Sequence, residues 1–247
     1  MNILLTNDDG VTSPGIYALK DALEPEHSVC IIAPDTEQSG TSHKITLKDP
    51  LRVKEVEDRV LSCGGTPADC VMIAYLGAAP EKPDLVISGI NFGPNLGTDI
   101  IYSGTAAAAR QAALMGYPGI AVSLATYTPP FHFEQAAAFI AKNLMLFLDL
   151  WAVDHFINVN FPNSLDPFTK VEITHPTRRR YNDSLEKFKA PNGDLYYFLK
   201  GTKVESDGIE GSDFSAVDRG SVSVSPVYLH PVNHEEDKAY RNAGFTL

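Results

Sequence analysis

The chain has 247 residues, 44% of them hydrophobic, and sets 20 Lys plus Arg against 31 Asp plus Glu for a net charge of −11. That length and apolar content suit one large core, while the acidic balance opposes stable nucleic-acid binding, because a polyanion would meet net repulsion. Cys30, Cys63 and Cys70 fit neither a disulfide framework nor a zinc site, no apolar run reaches the roughly 20 residues that span a bilayer, and the N-terminus carries no basic, apolar leader, so a reduced cytoplasmic protein without membrane attachment is expected.

The chain opens with "MNILLTNDDG", in which the unbroken apolar run Ile3, Leu4 and Leu5 predicts a buried strand ending in two adjacent carboxylates, Asp8 and Asp9, and a glycine. Residues 14–23 are predicted helical, with Pro14 in the first turn and Ile16, Leu19 and Leu23 on one face. Residues 27–33, "HSVCIIA", predict a second strand, followed by a polar loop holding Ser39 and Gly40, whose backbone amides should be exposed. Residues 51–56 and 60–63 read as a hairpin around Glu57 and Asp58. Thr66, Pro67 and Asp69 then fit the N-cap, first turn and N3 position of a helix, a carboxylate variant of the capping box.

Residues 85–88 read as a buried strand, the glycine-rich stretch after them as a long loop, and residues 105–115 as an alanine-rich helix. A strand over 119–123, a helix over 133–150 and a strand over 155–161 follow. Strands alternating with helices imply a Rossmann-like α/β fold with a doubly wound, mostly parallel sheet, whose ligands sit at the carboxyl ends of the strands. Asp8, Asp9, Ser39 and Asn91 all fall there. Beyond residue 161 the pattern turns polar: "THPTRRRYNDSLEKFKAPNGDLYYFLKG" contains the Asn192-Gly193 hairpin signal and reads as a protruding extension over about residues 174–201 of one domain that takes in residues 1–247. A short helix over 213–217 and an alternating strand over 221–227 close the pattern.

Asp8 and Asp9 converge only if the strand ends and the chain turns, which Gly10 permits. Adjacent carboxylates repel, and the usual relief is a hard cation that takes oxygen ligands from carboxylates, hydroxyls, amide carbonyls and water. Two aspartates, a serine and an asparagine supply such a set. The bland readings stand beside it: Asp-Asp-Gly also opens ordinary loops, Asn91 also stabilises loops, and "SGTAAAA" also simply starts a helix.

The motifs "LLTNDDG", "APDTEQSG", "GTPADCV", "DLVISGINFGPNLGTDIIYSGTAAAA" and "SDFSAVDRGSVSVSP" occur in order from residue 1 to about residue 227, and together they resemble the SurE family of survival-protein nucleotidases. The resemblance implies hydrolysis of nucleoside 5′- and 3′-monophosphates dependent on one divalent ion per subunit, magnesium or manganese, with exopolyphosphatase activity in some members. It carries the metal ligands to Asp8, Asp9, Ser39 and Asn91, makes Asp8 and Asp9 the catalytic pair, and assigns the substrate phosphate to Gly40, Asn95, Ser103, Gly104 and Thr105, the last three at a helix N-terminus. It also implies a homodimer or homotetramer built through the extension. Two departures stand out: Arg110 and Gln111 occupy positions where family members often carry methionine and glutamate, and "TRRRYNDS" matches the family's arginine segment only loosely, leaving Arg178, Arg179 and Arg180 without a role. Asp9 is the expected water-orienting group, and His43, near the site in sequence, reads as a solvated loop residue. The competing readings are a receiver-type signalling module, which would need a phospho-accepting aspartate where Ser88, Gly89, Ile90 and Asn91 stand, and a metal-dependent nucleotide-binding module without turnover.

Overall fold

The computed structural model describes residues 1–166, 169–201, 204–231 and 241–243. Strand β1 (Asn2–Thr6) leads through the Asp8-Asp9 turn into α1 (Pro14–Leu23), whose Pro14 opens the first turn, and then into β2 (Ser28–Pro34). An antiparallel pair follows, β3 (Val53–Glu57) and β4 (Val60–Cys63), and β4 also lies parallel to β2. Helix α2 (Pro67–Ile73) starts on the expected capping box: Thr66 Oγ1 accepts from the Asp69 amide while Asp69 returns a carboxylate to the Thr66 amide at 2.9 Å.

β5 (Leu85–Phe92) runs four residues beyond the predicted strand end, because Asn91 and Phe92 continue the ladder by pairing with Ser123 and Leu124 of β6 (Gly119–Leu124) past an irregularity in register. The glycine-rich stretch is therefore strand first and loop afterwards. A 3₁₀ turn (Gly97–Ile101) then precedes α3 (Gly104–Leu114), while α4 (Phe133–Leu150) and β7 (His155–Phe161) keep the predicted bounds. The remaining strands are β8 (Val171–Ile173), β9 (Arg179–Arg180), β10 (Ser184–Lys189), β11 (Leu195–Lys200) and β12 (Glu205–Ser206), followed by α5 (Asp213–Asp218) and β13 (Val222–Tyr228).

The main sheet runs β3-β4-β2-β1-β5-β6-β7-β13-β8, parallel from β4 to β7, with β3 and β13 antiparallel to their neighbours β4 and β7. Successive residues of each central strand feed opposite faces. Ile3 and Leu5 join a core roofed by α1 and α4, whereas Leu4, Cys30 and Ile32 join one roofed by α2 and α3. Six alanines of α3 (Ala106, Ala107, Ala108, Ala109, Ala112 and Ala113) are buried, so this helix lies close to the sheet, and a Cβ on Gly119 would sit 2.1 Å from the Ala109 carbonyl oxygen.

From β1 the chain first builds outward through β2 to β4, then returns to place β5 on the other side of β1. This reversal opens a crevice at the carboxyl ends of β1 and β5, the position at which doubly wound sheets bind ligands. Beyond Arg180, β10 and β11 form a hairpin whose strand residues are all exposed, turned by Asn192 and by Gly193 at φ +95°. It leaves Leu185, Phe188, Leu195, Tyr197, Phe198 and Leu199 open to solvent.

Candidate active site

The turn after β1 is fixed by Asn7, whose side-chain amide donates to the Gly10 carbonyl at 2.9 Å while its Oδ1 accepts from the Gly10 amide at 3.2 Å. Gly10 sits at φ +99°, a conformation glycine adopts without a Cβ penalty. Asp8 and Asp9 are thereby turned into a cleft of about 360 Å³ that also takes in Ser39, Gly40, Asn91, Asn95 and Ser103. Seven of the nine residues singled out from sequence meet in one place. The remaining two, Gly104 and Thr105, lie behind Asp8.

The two carboxylates are treated differently. Asp8 is 5% exposed, and its Oδ1 accepts from Thr105 Oγ1 at 2.5 Å. Burial pushes its pKa up, and the Thr105 hydroxyl followed by the backbone amides of the Gly104–Thr105 region pull it back. A Cβ on Gly104 would stand 2.8 Å from the Asp8 Cβ, so glycine is required for this approach. The helix terminus expected to face phosphate is thus spent on Asp8: a buried carboxylate needs donors, and the start of α3 supplies them. Ser103 likewise gives its hydroxyl to the helix as N-cap, accepting from the Ala106 amide at 3.0 Å.

Asp9 has an Oδ2 that is buried and, among the described residues, without a hydrogen-bond partner. Its pKa is pushed up to about 8, first by burial, then by the charges of Asp8 and Glu37, with the Phe92 amide opposing. Asn91 completes this side: its Nδ2 donates to the Gly93 carbonyl at 2.8 Å, which leaves Oδ1 as the end available to a ligand. Ser39 is exposed and its hydroxyl donates to Glu37 at 2.7 Å. Asn95 is buried and anchored, its backbone amide donating to Asn160 Oδ1 and its Nδ2 to Ser123 Oγ, both at 2.8 Å.

These groups fit a hard divalent cation. An orphaned buried carboxylate oxygen beside a second carboxylate, with an amide oxygen and a hydroxyl on the rim, is the oxygen-only donor set of a magnesium-type ion, which typically takes one or two carboxylates and fills the rest with water and substrate. No group of three His, Cys, Asp or Glu suited to a metal occurs among the described residues.

The contribution of Arg179 to the opposite wall was not legible in the sequence. Arg179 reaches the cleft from the base of the extension and pairs with Asp99, and its guanidinium lies 5.8 Å from the centre of the Phe214 ring. Asp99 Oδ1 and Arg179 Nε are, like Asp9 Oδ2, buried and unpartnered, so three orphaned polar atoms border one cavity. Phe92, Tyr102, Tyr127 and Tyr181 form an exposed aromatic rim, with Tyr102 and Tyr181 meeting edge-on at 6.4 Å. Asp213 locks this wall: fully buried, it accepts from the amides of Gly97 at 2.6 Å, Phe214 at 2.8 Å and Thr177 at 3.0 Å. His43, expected to be a solvated loop residue, is instead half-buried, its Nε2 lying 2.9 Å from Gln111 Oε1, and burial lowers its pKa; it does not line the cleft.

The family profile "Survival protein SurE" matches residues 3–183. The "5′-nucleotidase SurE" of Kosmotoga olearia is 45% identical over 244 residues, covering 94% of each chain, and that of Geobacter sulfurreducens is 44% identical, covering 95% of this chain and 90% of the relative. The crystal structure of the SurE protein from Aquifex aeolicus superposes with a TM-score of 0.84 at 36% identity over 98% of both chains. Continuous similarity of this kind, on a fold whose switch point carries the paired aspartates, makes the chain a member of the SurE family.

Proposed function

We propose that this protein is a cytoplasmic 5′-nucleotidase that hydrolyses nucleoside 5′- and 3′-monophosphates, and polyphosphate ends by the same chemistry, with one magnesium or manganese ion per subunit. The observation that carries the reading is the charge of the cleft. Asp99 is neutralised by Arg179, which leaves Asp8 and Asp9, carboxylates that must ionise to hold a cation, facing a substrate that is itself a dianion. A phosphate ester enters such a cavity only after a cation has offset those carboxylates. The full-length 5′-nucleotidase SurE relatives and the aromatic rim, suited to a nucleoside, support the substrate class.

Asp8, Asp9, Asn91 and Ser39 would hold the ion, Ser39 by turning its hydroxyl away from Glu37. A divalent cation there supplies Lewis acidity to a phosphoryl oxygen and acidifies water. Asp8, gripped by Thr105 and the start of α3, serves as the fixed ligand. Asp9, with its unpartnered oxygen toward the ion, orients the attacking water and accepts its proton at the other carboxylate oxygen as the water oxygen bonds to phosphorus and the ester P–O bond breaks. The departing nucleoside oxygen takes a proton from solvent, the described residues lining the cleft including no histidine, lysine or cysteine. Gly40, Asn95 and Ser103 border the space for the phosphate, with Gly104 and Thr105 acting on it only through Asp8, and Arg179 is the one cationic side chain lining the described cleft.

The test is phosphate release from a panel of nucleoside monophosphates with magnesium, with manganese and with chelator. Cation-dependent release from 5′-monophosphates is expected. Binding without release in either metal would favour a nucleotide-binding module, and release unaffected by chelator would overturn the metal role. We further propose that residues 1–247 act as one domain whose extension, about residues 174–201, joins copies into a dimer or tetramer, on the strength of the exposed apolar side chains of β10 and β11. Replacing the β10–β11 hairpin with a short turn should yield a monomer by light scattering, and an unchanged assembly would overturn this.

A further inference from the structure

A second cavity, of about 540 Å³, lies on the other side of the Gly97–Ile101 turn from the catalytic cleft. Its walls are mostly apolar, with Ile100, Ile101, Val227, Tyr228 and Leu229, yet two arginines line it and, among the described residues, no carboxylate does. Arg110 is half-buried: Nη2 donates to the Ile100 carbonyl at 3.2 Å and the guanidinium lies over the Phe156 ring at 5.4 Å. Neither contact supplies a negative counter-charge, and burial lowers its pKa. Arg178 makes no ion pair or hydrogen bond among the described residues. In a chain of net charge −11, two guanidiniums gathered without an acidic partner among the described residues leave a positive spot, and the half-buried one is costly to keep unpaired.

The placement follows from the extension's first residues. Neighbouring residues of an extended segment point to opposite sides, so Arg179 turns into the catalytic cleft to meet Asp99 while Arg178 turns into the second cavity. Helix α3 does the same along its length, giving Thr105 to Asp8 at one end and Arg110 to the second cavity one and a half turns later.

We propose that this second cavity is a binding site for a small organic phosphate carrying a planar apolar body, with Arg110 and Arg178 taking the anion and the Ile101–Tyr228 side taking the body. The pairing of a forked, permanently charged donor with an apolar wall that carries one aromatic ring, Tyr228, is what such a ligand requires. The site is separate from the catalytic reading and stands whether or not the protein hydrolyses nucleotides.

Phenylphosphonate, which has no ester bond to cleave, is titrated calorimetrically into the full-length protein in chelator at physiological ionic strength. One site per chain is expected, with Arg110→Met and the surface change Arg178→Met each weakening it at least tenfold, Ser39→Ala in the catalytic cleft leaving it unchanged, and inorganic phosphate binding at least tenfold more weakly. Binding unaffected by both arginine changes, equal affinity for inorganic phosphate, or no binding at all would overturn the proposal. So would binding that appears only when Glu235, Glu236 and Asp237, which lie outside the described residues, are neutralised together, since the chain's own carboxylates would then be the occupant.

Discussion

Asp9 and Asp213 are both carboxylates withdrawn from solvent within the same half of the molecule, and the fold provides for them in opposite ways. Asp213 accepts from three backbone amides drawn from the 3₁₀ turn, the base of the extension and its own helix, so both of its oxygens have partners. Asp9 keeps one buried oxygen with no partner and stands next to a second carboxylate that raises its pKa further. A buried charge whose partners are supplied by the chain is a structural knot; one whose partner is missing marks a place prepared for something from outside. Asp8 lies between the two, satisfied on one side by Thr105 and the start of α3 and open to the cleft on the other.

The comparison can be broken first at its functional end. Asp9→Asn should lower phosphate release by about 10³-fold or more, the scale of losing a preorganised electrostatic group at a reacting centre, while circular dichroism stays unchanged. Turnover within tenfold of the parent would mean that Asp9 is a loop residue. At the structural end, Asp213→Ala should cost stability rather than chemistry alone: three amides lose their acceptor, and at ~1–3 kcal/mol for each buried unsatisfied group a loss of at least about 3 kcal/mol is expected in urea unfolding. A loss below about 1 kcal/mol would remove Asp213 from its role as a knot.

Reversing the logic sharpens the contrast. With Asp9 at a pKa of about 8 in the metal-free fold and near 4 in the unfolded chain, the native state holds a proton that the unfolded state has lost between those values, so this residue's contribution to stability falls as pH rises from about 4 to about 8. Asp9→Asn should therefore make the chelated protein more stable near pH 8, by about 1–3 kcal/mol, and flatten that pH dependence. A mutant that melts lower in chelator would show Asp9 to be a structural cap. The smallest effect is expected at Ser39, exposed and bonded only to Glu37: Ser39→Ala should slow turnover about tenfold at limiting manganese, or ~1.4 kcal/mol, and leave the melting temperature unchanged.

The sequence made the sheet and the Asp9 side of this comparison readable, and hid the Asp213 side. The helix bounds at residues 14–23 and 133–150 and the capping box at Thr66 depend on local spacing, as does the convergence of Asp8 with Asp9 at Gly10. The continuation of β5 to Phe92 was masked because Gly89 and Gly93 read as loop, whereas pairing with β6 decided it. Arg179 and Asp99 are 80 residues apart, and Asp213 reaches Gly97 across 116, so no local pattern announces either contact. Gly104 and Thr105 were legible as a helix start, but the carboxylate that start receives is one from the far end of the motif list.

The central claim is that Asp9 is kept unpartnered for a cation, and the most direct measurement is a calorimetric titration of manganese into the chelator-stripped protein in buffers of different ionisation heat. Because Asp9 carries a proton below about pH 8, binding at pH 7 should release close to one proton per chain, with the release fading toward pH 9, and Asp9→Asn should weaken binding at least 100-fold and release none. Manganese binding that releases no proton at pH 7 and is unchanged in Asp9→Asn would contradict the account.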